Sequence, residues 1–367
     1  EVIPLIDRTD DLEYRLTSII ASLTMDRKPR LAFLSGFGAR SIWEFSAFRE
    51  VIQRQYDVRS VDIENDTTTT LSPDSFEVAV LVAPQRALDA AAISRLRSYL
   101  DAGGAALLLL DGTRLNPQMP MSEPVFTGLE PLLEEFGVRL VSSLAFDLRS
   151  NEQVSLGRQG LFNVVTSYPY WPIALPADGS HTLTRGLTAL TLAWASPLEI
   201  TDSARVRPLF ATTEFGGRQP AGTIIAPDMP PAADPAELAP QIMAVAVEPR
   251  GAGAEADGAA GGSGAAGRLV VVGDADFLHD RFVRSNPQNL AFAANAVDWL
   301  AQDEALISIR AKNRTPPPLV FESDFTRAAL KWGNLVGVPL LFVAWGTSRV
   351  LRRRRLSSRR WQEELAA

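Results

Sequence analysis

Apolar positions along this chain follow two alternating rhythms. In "DLEYRLTSIIASLT" (11–24), Leu12, Leu16, Ile19, Ile20 and Leu23 recur at helical spacing, which predicts an amphipathic helix. The run "LAFLSG" (31–36) is continuously apolar and ends in glycine, as a buried strand does. A helix over 42–55 comes next, then strands in "YDVRSVDI", "FEVAVLVAP" (76–84) and "AALLLLD" (105–111). Between the last two, "ALDAAAISRLRSYLDAGG" reads as a helix with glycines where a left-handed C-cap is wanted. A helix near 125–137 and the short strand "VRLVSS" extend the unit. Strands this apolar, alternating with amphipathic helices, predict an α/β fold: a mostly parallel sheet with helices on both faces.

From about 150 to 248 the rhythm changes. Short apolar runs ("GLFNVVTSY", "ALTLAWA", "VRPLFATT", "MAVAVE") are separated by proline, threonine and glycine, which predicts a β-rich region inserted in or laid against the α/β unit. In residues 249–268, fourteen of twenty positions are glycine or alanine and none is a large apolar anchor, so this stretch reads as a flexible loop. "RLVVVG", a helix over 287–301 and "ALISIR" then resume the sheet. The loop is therefore expected to be a long hairpin connection and not a domain boundary.

The C-terminal pattern differs from everything before it. "WGNLVGVPLLFVAWGTS" (332–348) holds no charge over 17 positions, the short end of what crosses a bilayer. Trp332 and Trp345 stand near its ends as interface anchors, and Arg352, Arg353, Arg354 and Arg355 follow as a stop-transfer flank. A buried core helix with a solvated basic end is the alternative, and Asn334 and Pro339 argue for it. The arginine block, however, has no use on an acidic globular protein. The expectation is an α/β body over 1–323 outside the cytoplasm, a transmembrane helix with its approach over 324–349, and a basic cytoplasmic tail over 350–367. Gly333 and Gly337 form a G-x-x-x-G pair that suits close helix packing, with Gly346 further along. The chain opens on Glu1, which suggests a fragment or a processed start.

Charge sharpens this division. The net charge is −7, and residues 349–360 hold seven arginines and no acid, which leaves −14 for the rest. An acidic body with a basic tail is not a nucleic-acid binder. Cysteine is absent, which excludes a disulfide framework, a zinc–thiolate site and a cysteine nucleophile.

Candidate chemistry is sparse. "RLVVVGDADF" (268–277) places Asp274 and Asp276 at a strand exit, where parallel sheets bind ligands, with His279 and Asp280 just beyond. They are weak candidates for an oxygen-ligand metal site. The preferred reading is that one of them caps the following turn by accepting backbone N–H groups. Only two histidines exist, His181 and His279, so a histidine-rich metal site is impossible. "SGFGAR" (35–40) is a glycine loop without a complete dinucleotide spacing or a P-loop lysine, and Ser35 lacks a nucleophile elbow. No catalytic residue, cofactor or metal is assigned.

Several stretches, in order, resemble the GldG-like auxiliary components of ABC-type transport systems, first associated with gliding motility. They are "LEYRLTSIIASLT", "KPRLAFLSGFG", "VAVLVAP", "LRSYLDAGGAALLLLD", "LEEFGVRL", "GRLVVVGDADFL" and "NLAFAANAVDWLAQDEALISIRAK", followed by the apolar helix and its arginines. The resemblance implies a glutamine-amidotransferase-like, flavodoxin-like domain without amidotransferase chemistry, in keeping with the absent cysteine. It further implies an inner-membrane location with the main domain periplasmic, and an ABC permease with its ATPase as partners. The family usually carries an N-terminal membrane helix and a further extracytoplasmic domain, so this chain is expected to start mid-architecture. It departs from the family at Phe37 and Ala39, where a Gly-His-Gly-Glu type of loop is more usual, and in its Gly/Ala-rich loop. A second reading is a hydrolase or sugar-binding protein of the same fold, with Asp274, Asp276 and Glu44 at its cleft.

Overall fold

The computed structural model describes residues 28–301, except 67, 117, 160–161, 228 and 250–266, and residues 324–350. The expected helix over 11–24, the strand "ALISIR", most of the 249–268 loop and Arg352 to Arg355 lie outside the described residues. Two compact units divide the chain near residue 318.

In the first unit the main strands are β1 (Arg30–Ser35), β2 (Asp57–Asp62), β3 (Val78–Val82), β4 (Ala105–Leu109), β5 (Phe162–Pro176), β6 (Val206–Ala211), β7 (Ile242–Val247) and β8 (Arg268–Val272). Five of them, in the spatial order β2-β1-β3-β4-β8, are parallel. Counted along the chain this is the 2-1-3-4-5 order of flavodoxin-like doubly wound sheets. From β8 the same sheet continues antiparallel through β7, β6 and β5 to Leu190–Thr191. The β-rich region thus lengthens the central sheet, which is parallel in one half and antiparallel in the other. β7 and β8 pair from Ala244 opposite Val272 to Val247 opposite Leu269, so the glycine-rich stretch joins the two arms of a hairpin.

Burial on both faces explains why these strands read as unbroken apolar runs. Val78, Val80 and Val82 of β3 enter one core, together with Phe48 and Ile52 of α1 (Ser46–Gln55). Ala79 and Leu81 enter the opposite core, with Leu96, Tyr99 and Leu100 of α2 (Ala90–Asp101). Leu132 and Leu133 of α3 (Glu130–Glu135) join this second core; beyond the short α4 (Asp280–Ser285), Phe292 and Val297 of α5 (Pro287–Leu300) join the first. The period-two alternation is present but hidden from the sequence, because neither face is polar. A third cluster, with Phe146, Tyr168, Tyr170 and Trp171, fills the β-rich half.

The second unit is helical from Asp324; Ala328–Val350 is 23 residues, its most apolar 18-residue stretch has a mean hydropathy of 1.4, and it is long and apolar enough to cross a membrane. Gly333–Gly337 forms a π-helical turn within it, so the two glycines of the G-x-x-x-G pair sit at the ends of a widened turn. Trp332 and Trp345 are exposed on this helix.

Candidate functional site

Two neighbouring parallel strands, β4 and β8, end level with one another, Leu109 lying opposite Val272. Two residues on, each chain segment carries an aspartate: Asp111 after β4 and Asp274 after β8. The side chain of Asp274 is wholly buried; Oδ1 accepts from the Asp276 amide at 2.6 Å and Oδ2 from the Ala193 amide at 2.7 Å. The first bond closes a tight turn after β8, and the second ties that turn to a segment 81 residues away. Asp111 accepts from the Ala275 amide at 2.9 Å. Asp276 receives Nη1 of Arg40 at 2.7 Å, an ion pair with both side chains about a quarter exposed.

Arg40 reaches this point because the loop after β1 is fastened to β3. The Arg40 amide donates to the Val82 carbonyl, and the Phe37 carbonyl accepts from the amides of Gln85 and Arg86. These are the loops flanking the point where the strand order reverses, between β1 and β3, where open α/β sheets place their ligands. They contribute Arg40 and Gln85 to a cavity of about 260 Å³ whose walls also include Asp111, Thr113, Trp194 and Asp276.

Burial, and then the charge of Asp276, push the Asp111 carboxyl up to about 7, against the opposing pull of Arg40 and the Ala275 amide. Asp274 is raised well above the usual carboxylate range by burial first and by the charges of Asp276 and Asp111 next, with its two amide donors acting against them. Thr113 is 3 % exposed, and its Oγ1 has no hydrogen-bond partner among the described residues.

The backbone is strained around the same place. Phe37 (φ 53°), Ala83 (φ 43°) and Trp194 (φ 56°) are the non-glycine residues with left-handed backbone among those described. They lie in the loop after β1, at the exit of β3 and beside Asp274's partner Ala193. Such strain persists where surrounding bonds over-determine the conformation. Replacing Ala83 with glycine should therefore leave stability within about 0.5 kcal/mol, relief of strain offsetting the flexibility gained by the unfolded chain. Ala79→Gly, in the regular part of the same strand, should cost about 1 kcal/mol or more. Urea midpoints of the two variants check the contrast; equal losses would show that Ala83 is unstrained.

Asp274 is wholly buried and does not line the cavity, whereas Asp276 does. Glu44 does not: its carboxylate accepts from the Ser41 amide at 2.8 Å in a capping box, exposed on the surface and apart from the cavity wall. The "SGFGAR" loop is no phosphate cradle, since the amides of Phe37, Ala39 and Arg40 already donate to Glu64, Gly36 and Val82. Ser35 only receives a long contact from the Ser60 hydroxyl. His279 caps α4, Asp280 binds the Ser46 hydroxyl and the Ala47 amide, and His181 packs near Trp299. Among the described residues no three His, Asp or Glu side chains converge as metal ligands. Sequence reasoning missed Asp111, Arg40, Gln85, Thr113 and Trp194. One signal was available: "AALLLLD" and "RLVVVGD" both run from apolar strand to aspartate.

A larger open groove of about 840 Å³ lies elsewhere on this unit, lined in part by Arg139, Glu199 and Arg218. Those charges are paired, Glu199 receiving Arg218 at 2.7 Å and Arg139 at 3.3 Å, while Arg139 also reaches Glu134 at 3.1 Å.

The molecule is thus an α/β protein with a doubly wound parallel core, a carboxylate-floored cavity at the strand exits, and a C-terminal helix fit to cross a membrane. Residues 28–308 match the family described as an ABC-type uncharacterized transport system, an auxiliary family, and the chain belongs to it. No match was found among curated proteins. Among solved structures, the mmIFT52 N-terminal domain is similar at 14% identity, over 74% of this chain and 97% of that one, with a TM-score of 0.48. A ThuA-like protein from Parabacteroides merdae is similar at 10% identity, over 75% and 90%, with a TM-score of 0.39. A glutamine amidotransferase from Thermotoga maritima is similar at 8% identity, over 78% and 96%, with a TM-score of 0.32.

Proposed function

We propose that this protein is a membrane-anchored, non-enzymatic auxiliary subunit of the GldG-like type, which docks with the permease of an ABC-type system in export or motility. Its body is an amidotransferase-like domain held on the extracytoplasmic side, and its arginine-rich end lies in the cytoplasm. The observation that carries this reading is the family match over 28–308 joined to the apolar helix Ala328–Val350 and the arginines that follow. Positive residues flank membrane helices on the cytoplasmic side. A body outside cannot touch the cytoplasmic ATPase, so coupling runs through the permease. Asp274 supports a structural role over chemistry, since both its oxygens accept backbone amides.

Gly333 and Gly337 are the contact we assign to the permease, because small residues let membrane helices approach closely. Replacing both with leucine should release the protein from the permease while leaving it inserted. Co-purification in mild detergent reads this directly; undiminished recovery of the permease would move the docking face elsewhere. A chain ending at Phe325 should be recovered without detergent, whereas the full chain partitions with membranes. Recovery of the full chain as a monomer in plain buffer would remove the anchor from the proposal.

A further inference from the structure

The cavity at the strand exits carries features that docking through the membrane helix does not use. We propose that it is a binding site for a small neutral polyhydroxylated ligand, of the size and chemistry of one monosaccharide ring. This inference is independent of the docking proposal, since it concerns only the first unit.

Charge narrows the ligand first. Arg40 is paired with Asp276, and Arg114, also on the cavity wall, pairs with Glu123 at 3.3 Å. An anion entering the cavity would meet Asp111 and Asp276; a cation would meet the two guanidinium groups. A neutral ligand meets neither penalty. Hydrogen-bonding capacity narrows it further. Thr113 lines the cavity, and its Oγ1 is buried and unpartnered among the described residues; turned into the cavity by rotation of the side chain, that hydroxyl offers one donor and two acceptor positions. Asp111 accepts one amide on Oδ1, and Oδ2 remains for a ligand. Gln85 uses its Nε2 on the Ala83 carbonyl at 3.0 Å and keeps Oε1. Donors and acceptors side by side match vicinal hydroxyls, each of which can give one bond and receive another.

Size completes the argument. A cavity of about 260 Å³ is smaller than the sites that hold drug-sized molecules and suits a single ring. The ring of Trp194 is engaged elsewhere, donating through Nε1 to the Tyr168 hydroxyl at 3.0 Å and packing edge-on against Trp171. Recognition therefore comes from polar groups on the cavity wall, with weak affinity for any one sugar. An unpaired hydroxyl in a buried wall is costly, and a ligand hydroxyl relieves that cost.

The test is calorimetric titration of the full chain in a detergent without a sugar headgroup. The neutral arm is glucose, mannose, galactose, N-acetylglucosamine and myo-inositol; the charged arms are inorganic phosphate, glucuronate and spermidine. At least one neutral compound should bind saturably with one-site stoichiometry in the millimolar range. Thr113→Val should weaken that binding by about tenfold, the size of one lost polar contact, and Thr113→Ser should restore it. If circular dichroism shows that Thr113→Val does not fold, Gln85→Ala reads the same contact set from the cavity rim and should weaken binding several-fold. Saturation by no neutral compound, preference for a charged arm, or unchanged affinity in the folded Thr113→Val chain would each overturn the proposal.

Discussion

Asp111→Asn should make the protein more stable at pH 8 than the original and reduce, without abolishing, its loss of stability between about pH 4 and pH 7. The carboxyl keeps its proton in the folded state up to about 7, whereas in the unfolded chain it gives it up near 3.8. Between those values the folded state binds more protons than the unfolded one, so stability falls as pH rises and is lowest above 7. A shift of this size corresponds to about 4 kcal/mol, an upper figure because the group is strongly tied to its neighbours. Asparagine keeps an oxygen for the Ala275 amide and carries no charge beside Asp276. The slope should shrink without vanishing, since Asp274 is raised for the same reason, though less so once the Asp111 charge is gone. Urea unfolding at pH 5, 7 and 8 measures this; identical pH slopes in the two proteins would show that Asp111 is not ionising in a buried place.

How much of this was readable beforehand depends on the distance over which each feature is set. The strand and helix pattern is local: β2, β3, β4 and β8 lie within the apolar runs read as strands, β1 does so but for Arg30 at its start, and α1, α2 and α5 lie within the predicted helices. The hairpin joining β7 to β8 followed from two apolar runs separated by a stretch with nothing to bury. The antiparallel half was legible only as short strands, because which strand β6 or β5 pairs with is a matter of register between segments far apart. Strands in that half also depart from plain alternation, as β6 does at Pro208 and Phe210, where its register with β7 shifts. Helix 125–137 shortened to α3 because Gly128 takes a left-handed backbone and Pro131 starts the helix, at its first turn.

The candidate site divides in the same way. Asp274 and Asp276 announced themselves by following a buried strand, and Asp111 carries the same mark after β4. Choosing between them needed the knowledge that β4 and β8 are neighbours, though about 160 residues separate the two aspartates. Arg40 stands 236 residues from its partner Asp276 and is set by a loop whose shape depends on Gly36 and Gly38. Glu44 misled because an acid three residues beyond a serine serves a cleft or a capping box equally well, and only the fold decides. Thr113 gave no signal at all. A threonine becomes informative only once its hydroxyl is found buried and unpaired.

Gly273→Ala should be among the most damaging single substitutions in the first unit, costing more than about 3 kcal/mol. Gly273 ends the "RLVVVG" run, and its neighbours are backbone and not side chain. Its amide donates to the Met243 carbonyl at 3.0 Å, and its carbonyl accepts from the Ser196 amide at 2.6 Å. A methyl group on Gly273 would stand 1.8 Å from the Ser196 carbonyl oxygen, so the two segments must separate. That movement cannot stay local. Ser196 also receives the Gly112 amide on its hydroxyl, Ala195 accepts from the Ala145 amide, and Ala193 donates to Asp274. Displacing residues 193–196 therefore loosens the turn after β8 and exposes a buried carboxylate with the bonds that hold it. Gly103→Ala is the control: it too is a glycine at a turn, with φ of 91°, but nothing lies within 4 Å of the added methyl. It should cost only the backbone strain, about 1–2 kcal/mol. Urea unfolding of both variants separates close approach from conformational freedom as the reason for a glycine. If Gly273→Ala loses no more than Gly103→Ala, the tight junction between β8 and residues 193–196 is not what fixes the floor of the cavity.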